Sequence, residues 1–482
     1  MRIAIIGAGP AAVGLLDALA RAGADAGVGV GVGAEHEVTV FDPAPYPWRG
    51  RPYAPDMDSV LVNVPPALMS LRHDDGGHYA DWLGERGAGF FDPLLGAPLV
   101  PRGRYGEYLE ETAEKALAGG NVRLVPERVV GASRDLLIRT ADGHEHRADR
   151  IVLCVGSGTP ADPYGLDGAP GYIGDPYPLA RTLEDVPRDA SVLIIGSRLT
   201  AVDVAVSLAA RGHGGPISLA SRGGMLPHVW QRPNGPDGYR PQFLTTDAVR
   251  AMGPDVTLAK IYDLLCAELD ALGEDIAEIE ADLRGAATED PAVRLRRQVE
   301  LVNTPAQARR LLQQACHTVM PLAWPLLPEA DRETLRRHSR LAVSLASPMV
   351  PVNGVRMLEL FESGQLDSLS GVRSIVGAAS GFEVGWDGGT RRADIVVNAV
   401  NPPPGSVPHA AVELVDGLLR EGLAARHPDG GIVPSDPRVH VVGDLHGGRP
   451  FLTSGIPEVV GAAARTARAL TREWAAPSLT RA

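Results

Sequence analysis

Two strand–turn–helix units marked by glycine, opening at residues 3 and 191, and a stretch of helical periodicity between 247 and 341 predict an α/β protein. Its plan is two dinucleotide-binding (Rossmann-like) domains with a largely helical insertion. In the first unit the apolar run 3–6 leads into Gly7-Ala8-Gly9-Pro10-Ala11-Ala12. Gly7 permits the tight turn, and Gly9, beside Pro10, lets the backbone approach a pyrophosphate. Small Ala12 allows close packing of a helix whose unpaired N–H groups face the anion. A strand over 36–41 then ends in Asp42, placed to present an acid to an adenosine ribose. The gap from Gly7 to Asp42 is longer than usual, and the glycine-rich run 24–33 suits a surface loop inserted before the strand.

The remaining elements follow in order. Five prolines make 43–55 mostly irregular. Helices are expected over 79–86 and 105–118, a strand over 122–130, a hairpin of 136–141 with 146–150 around Asp142-Gly143, and a buried strand over 151–155. Gly156 follows it, placing flexible backbone at the carboxyl edge of a sheet, where ligands commonly sit. The second unit begins with the strand 191–195, continues through Gly196-Ser197-Arg198-Leu199-Thr200 into a helix to about 211, and returns as a strand over 217–220 that ends at Ser221-Arg222. Arg198 stands where the middle glycine should meet a pyrophosphate. Either Arg198 itself contacts phosphate or the site is vestigial and only the fold survives. Helical periodicity covers 258–272, 292–301 and 306–319, with Pro321, Pro325 and Pro328 interrupting it around Trp324. Strands return at 372–376, 381–386 and 394–398, then at 439–444, before a final helix from about 455 to 474. The expected organisation is 1–165 with 430–482 for the first domain, 190–240 with 342–400 for the second, and 245–341 for the insertion.

Composition narrows the function. A formal charge of −13 with no block of basic residues argues against nucleic acid as a partner. Cys154, Cys266 and Cys316 lie far apart, form no redox pair or metal set, and fit a reducing cytoplasm. Neither a signal peptide nor a run of 18 apolar residues is visible, so a cytoplasmic protein away from membranes is expected. His73, Asp74, Asp75 and His78 are the one local cluster of metal-ligand types, at no recognised spacing. No metal is expected, and the sequence leaves the oligomeric state open.

Several blocks in this order resemble the bacterial FAD/NAD(P)-binding flavoprotein group that includes urate-hydroxylase-like proteins and, more distantly, the N-hydroxylating flavin monooxygenases. They are the Gly7 turn with Asp42, Gly50-Arg51-Pro52-Tyr53, Leu61-Val62-Asn63-Val64-Pro65, Met69-Ser70, Pro101-Arg102-Gly103-Arg104-Tyr105-Gly106, Leu199-Thr200-Ala201-Val202-Asp203, Ser221-Arg222-Gly223-Gly224, Gly443-Asp444 and Thr453-Ser454-Gly455-Ile456-Pro457. The resemblance implies FAD extended across the first domain, with Asp42 on the adenosine ribose, the backbone near Val129 facing adenine, and Asp444 on the ribityl chain. It also implies Arg49, Gly50, Asn63 and Ser70 around the flavin or its phosphates, with Arg104 in a positional role. The helix starting near Ile456 would aim its positive end at the flavin pyrimidine, which favours the charge acquired on reduction.

The expected activity is that of an FAD-dependent oxidoreductase, an NADPH-using monooxygenase that hydroxylates a small nitrogenous or aromatic metabolite. His446 and Arg449 follow Asp444 directly and, with Arg49, are the candidate catalytic groups. Trp48, Trp230 and Trp324 could wall the site, with His228 and His317 as polar contacts. The second nucleotide or the substrate would meet Gly196, Arg198, Thr200, Arg222, His228 and Trp324. Two readings without pyridine nucleotide stand beside this one: an FAD-dependent oxidase or dehydrogenase reduced by its substrate, and a non-catalytic flavin-binding protein.

Overall fold

Residues 1–25, 36–118, 121–232, 239–286, 288–448 and 455–475 are described by the computed structural model. The glycine-rich run between the first helix and second strand, Arg449, and residues 453–454 lie outside them. Apolar strands buried on both faces need helices or a second sheet to cover them, and the chain satisfies this twice. The first sheet has the order Val439–Val441, Arg150–Leu153, Arg2–Ile6, Glu37–Phe41, Val122–Val125, and every pairing is parallel. Ile3 lies opposite both Val38 and Arg150, so the first strand is central and strands from both ends of the chain share one sheet.

One face is covered by the helices Pro10–Asp25, Arg102–Ala118 and Ile456–Ala475 around Leu15, Leu19, Tyr105, Leu109 and Ala463. Close approach of the first and last helices needs a small residue at their crossing. A Cβ on Gly14 would sit 3.7 Å from Ala463 Cβ. The other face carries the antiparallel strands Val129–Ala132, Leu137–Thr140 and Glu145–Arg147 and the helix Val412–Arg420. The run expected as a single strand over 122–130 is therefore two strands in two sheets, separated at Pro126, which cannot donate to a ladder.

The second sheet repeats the plan with the all-parallel order Tyr172–Ile173, Ile395–Asn398, Val192–Ile195, Ile217–Ser221, Leu366–Ser370. Helices Leu199–Ala210 and Pro351–Glu362 cover one face, and the antiparallel strands Ser374–Gly377, Phe382–Trp386 and Gly389–Ala393 cover the other. Between the two halves of this sheet lies a helical unit, from Thr246–Met252 to Ser339–Ala346, with a separate core around Leu265, Leu269, Leu311 and Val319. Pro321 does not interrupt its helix as expected. The helix Ala308–Ala323 contains it and tightens only at Trp324–Leu326.

The two halves are clasped by a buried charge pair. Arg102, at the start of its helix, donates to Asp203 Oδ2 at 2.6 Å, to the Tyr177 hydroxyl at 3.1 Å and to the Leu61 carbonyl at 3.0 Å. Burial alone would lower the Arg102 pKa, but Asp203 and Tyr177 outweigh it and hold the guanidinium charged. Ser59 and Ser207 share a buried hydroxyl contact of 2.7 Å across the same junction.

Candidate cofactor site

Three neighbouring strands of the first sheet end in glycines at positive φ: Gly7 at 100°, Gly156 at 80° and Gly443 at 106°. A Cβ on Gly7 would lie 2.3 Å from the Cys154 carbonyl oxygen, whereas the space around Gly156 is open. The Gly7 turn is closed by its N–H donating to the Phe41 carbonyl at 2.8 Å. Asp42 is fixed beside it, accepting from Ala8 N at 2.6 Å and Ala44 N at 2.8 Å. Each carboxylate oxygen keeps a further lone pair for a ribose hydroxyl.

A second segment closes over this turn. Gly50, at φ 63°, approaches so closely that a Cβ there would lie 3.1 Å from Pro10 Cδ and 3.2 Å from Gly9 Cα. Trp48 is buried at φ 77°, a conformation bulky residues avoid, so packing in the core of the first domain holds it there. Ala12 is buried in the helix, and Val129 packs with Ile6 and Phe41 beneath the strand ends.

At the far end of the rim, half-buried Asp444 follows Gly443. The His446 Nδ1–H donates to the Gly447 carbonyl at 2.8 Å, a bond that leaves Nε2 as the acceptor of the neutral ring. The loop is pinned by Ile432 N to Leu445 O and by Gly447 N to Ile432 O, each 2.9 Å. Ile456 is buried at the start of the last helix, and Glu458 in its first turn reaches the insertion, its Oε1 lying 3.7 Å from His317 Nδ1. Burial draws the His317 pKa down, yet Glu458 and the Ala346 carbonyl outweigh it and raise the value.

Other expected residues have local tasks. Arg49 forms a two-pronged pair with Glu110, Nε to Oε1 at 2.6 Å and Nη2 to Oε2 at 2.7 Å, and also donates to the Gly103 carbonyl. Its guanidinium thereby ties the Trp48–Gly50 turn to the helix Arg102–Ala118, which suits a positioning residue better than a catalytic one. Arg104 is exposed and pairs with Glu107. Ser70 bonds within its own turn, to the Arg72 and Asp75 carbonyls. Asn63 receives the Trp230 indole N–H on its carbonyl at 2.7 Å, while its side-chain Oδ1 is buried without a partner. In the histidine-aspartate cluster Asp74 pairs with Arg21 and His78 with the Tyr108 hydroxyl.

In the second sheet Gly196 adopts φ 120°, and a Cβ there would lie 3.0 Å from the Ala399 carbonyl oxygen. Arg198 caps the helix Leu199–Ala210 in extended conformation. Burial, then repulsion from Arg340 and Arg222, lowers its pKa. Arg340 closes on the same loop, its Nη1 3.2 Å from where Gly223 would carry a Cβ. Thr200 donates to Asn401 Oδ1 at 3.0 Å, and Asn398 ties the strand end to the Ala161 and Gly174 carbonyls.

His228 is fully buried, bonded to Ser344 Oγ at 2.9 Å and to Arg294 Nη2 at 2.8 Å, with Asp282 3.6 Å away. It is thus held between the loop after the strand Ile217–Ser221 and the helical unit, bonded to side chains of the latter. Trp324 is likewise buried, with the Arg336 guanidinium 5.5 Å above its ring. Burial pushes the His228 pKa from 6.5 down to about 4, with Arg294 and Arg309 adding to the effect and Asp282 opposing it. The folded chain thus keeps this ring neutral where the unfolded chain takes up a proton. The contribution is complete above pH 6.5 and is lost as pH falls to about 4, amounting to about 3 kcal/mol in all. Urea unfolding at pH 7 and pH 4.5 checks this: His228→Gln should flatten the slope, and an unchanged slope contradicts the assignment.

Sequence reasoning missed the Arg102–Asp203 clasp, although both residues stood in conspicuous blocks, because nothing local reveals partners 101 positions apart. It also missed Arg294 and Asp282, which read as ordinary charges on amphipathic helices.

Two parallel sheets with glycine-marked rims, each fed by a helix N-terminus, define the class: a two-dinucleotide-binding-domain fold. Residues 4–158 match the family model described as FAD-NAD(P)-binding. Over the whole chain the fold is similar to L-lysine 6-monooxygenase from Pseudomonas syringae, at 17% identity over 98% of this chain and 99% of that one, with a TM-score of 0.57. It is also similar to the reduced form of ornithine hydroxylase from Pseudomonas aeruginosa, at 14% identity over 97% and 98%, with a TM-score of 0.51. Comparison with curated proteins finds no match. No helix among the described residues is long and apolar enough to cross a membrane.

Proposed function

We propose that this chain is an FAD-dependent monooxygenase reduced by NADPH that hydroxylates a small nitrogenous metabolite. The observation that carries the reading is the rim of the first sheet, where Gly7, Gly156 and Gly443 take positive φ beside Asp42 and Gly50 approaches so closely that a Cβ there would lie 3.2 Å from Gly9 Cα. These residues fit FAD. Gly7, Gly9 and Pro10 would take the pyrophosphate, Asp42 the adenosine ribose and Asp444 the ribityl chain. Bound FAD supplies electron transfer and oxygen activation. The protein's share is to orient it, to place the N-terminus of the last helix at its pyrimidine, and to exclude water with buried Trp48 and the Trp230–Asn63 contact.

NADPH is supported by the second rim. Arg198, Arg222 and Arg340 converge there, and among the described residues none of their guanidinium groups has a hydrogen-bond or ion-pair partner. Such a group suits phosphate. The nitrogenous substrate is supported by the similarity in fold to an L-lysine 6-monooxygenase and an ornithine hydroxylase. A kinship with urate-hydroxylase-like proteins rests on the sequence blocks alone. In this reading 1–165 with 430–482 binds FAD, 190–240 with 342–400 binds NADPH, and 245–341 borders the substrate. NADPH use and free cysteines suit the cytoplasm.

Anaerobic addition of NADPH to FAD-loaded protein tests the reading. Loss of the oxidised-flavin bands, faster than with NADH, is expected. Failure of either nucleotide to bleach the flavin overturns NADPH use and favours reduction by substrate. Arg198→Ala should raise the KM for NADPH about tenfold, the worth of one charge-assisted hydrogen bond. A lowered KM would instead mean that Arg198 obstructs the site.

A further inference from the structure

The helical insertion touches the first domain where the last helix begins. His317, on the helix Ala308–Ala323, donates through Nε2–H to the Ala346 carbonyl at 2.7 Å, which fixes the ring and leaves Nδ1 facing Glu458 Oε1, 3.7 Å away. Glu458 stands in the first turn of Ile456–Ala475 and folds back over its start, so that a Cβ on Gly455 would lie 2.5 Å from Oε2. That oxygen is buried and has no hydrogen-bond partner among the described residues. The carboxylate is therefore held at the helix N-terminus, one oxygen toward the insertion and the other toward no donor.

A full negative charge in this place outweighs the positive end of the helix dipole, which amounts to about half an elementary charge. A protonated His317 restores the balance. Burial draws the ring toward neutrality, yet the contact with Glu458 and the Ala346 carbonyl outweigh it and keep its pKa above 6.5. Charges on the other helices packed against Ala308–Ala323 are engaged elsewhere: Asp247 pairs with Arg250, Asp282 with Arg297 and Arg309, and Arg340 turns to the Gly223 loop. Glu458 is thus the acid that acts on His317.

We propose that His317 and Glu458 are a positioning pair through which the insertion sets the readiness of the flavin to accept electrons. Protonated His317 cancels the Glu458 charge and leaves the last helix positive toward the flavin pyrimidine, whereas neutral His317 leaves the carboxylate to oppose negative charge there. The role of the pair rests on the FAD placement above and deepens it. Its sign is fixed by electrostatics: reduction adds negative charge to the flavin, so loss of the imidazolium lowers the potential.

Spectroelectrochemical titration of FAD-loaded protein at pH 6 and pH 9 tests this. At pH 6 His317→Gln should shift the reduced-to-oxidised ratio about tenfold toward oxidised flavin, about 30 mV for a two-electron couple. The double variant His317→Gln/Glu458→Gln, which removes both charges, should return the ratio to within about twofold of wild type. At pH 9, where the wild-type ring has released its proton, wild type and His317→Gln should agree. If His317→Gln does not fold, Glu458→Gln serves instead, and should reduce the fall in potential between pH 6 and pH 9 by about the same tenfold step. A histidine that merely ties the two units together would leave the potential unmoved, or move it equally in the single and double variants, and either result overturns the proposal. FAD uptake with potentials that fail to separate in this way removes the role of the pair alone, whereas protein that takes up no FAD removes the placement and the pair together.

Discussion

Replacing Asp203 by alanine should cost about 3–5 kcal/mol of stability, because it strands a buried guanidinium. The Asp203 side chain is fully buried, and its Oδ2 accepts from both Arg102 and the Tyr177 hydroxyl. Arg102 keeps its Leu61 carbonyl and its packing on the Tyr177 ring, but neither neutralises its charge. Tyr177→Phe, which removes one neutral donor and leaves the ion pair, should cost only about 1 kcal/mol. The midpoint of urea unfolding at pH 7 reads both changes. Asp203→Ala as mild as Tyr177→Phe would mean that water reaches the junction and solvates Arg102.

Gly7→Ala should be about as damaging, at about 3–5 kcal/mol, and should also abolish FAD binding. Two effects add. Left-handed backbone at φ 100° penalises any side chain, and the new methyl would sit 2.3 Å from the Cys154 carbonyl oxygen on the adjacent strand. Relief would require separating two paired strands at the cofactor rim. Gly156→Ala provides the contrast, because its φ of 80° carries the backbone penalty without any neighbour to strike. It should cost only about 1 kcal/mol. Flavin content after purification and the urea midpoint distinguish the two. Equal losses at both positions would show that conformation alone, and not close approach, accounts for the Gly7 turn.

These contrasts show what was legible in the sequence. The Gly7 turn and Asp42 could be read because their constraint is local: a strand, a turn without side-chain bulk and a helix start within a few residues. The second unit was readable for the same reason through Gly196. Leu366–Ser370 was missed because Asp367, Ser368 and Ser370 give a parallel edge strand little apolar signal. The helix Val412–Arg420 escaped notice among glycine and proline, and the break at Pro126 was hidden by apolar residues on both sides. Candidate site residues divided on similar lines. Gly7, Gly443 and Asp42 lie at the ends of strands of the first sheet, while Arg49, Arg104 and Ser70 are engaged by Glu110, Glu107 and local carbonyls that only the folded chain brings near.

The most direct measurement is a titration of purified, flavin-stripped and folded protein with FAD, followed by absorbance and calorimetry. The account predicts saturable uptake of one FAD per chain, with the spectrum of protein-bound oxidised flavin, and none in Gly7→Ala. Folded wild-type protein that takes up no FAD, or binds it equally well with alanine at position 7, would contradict it.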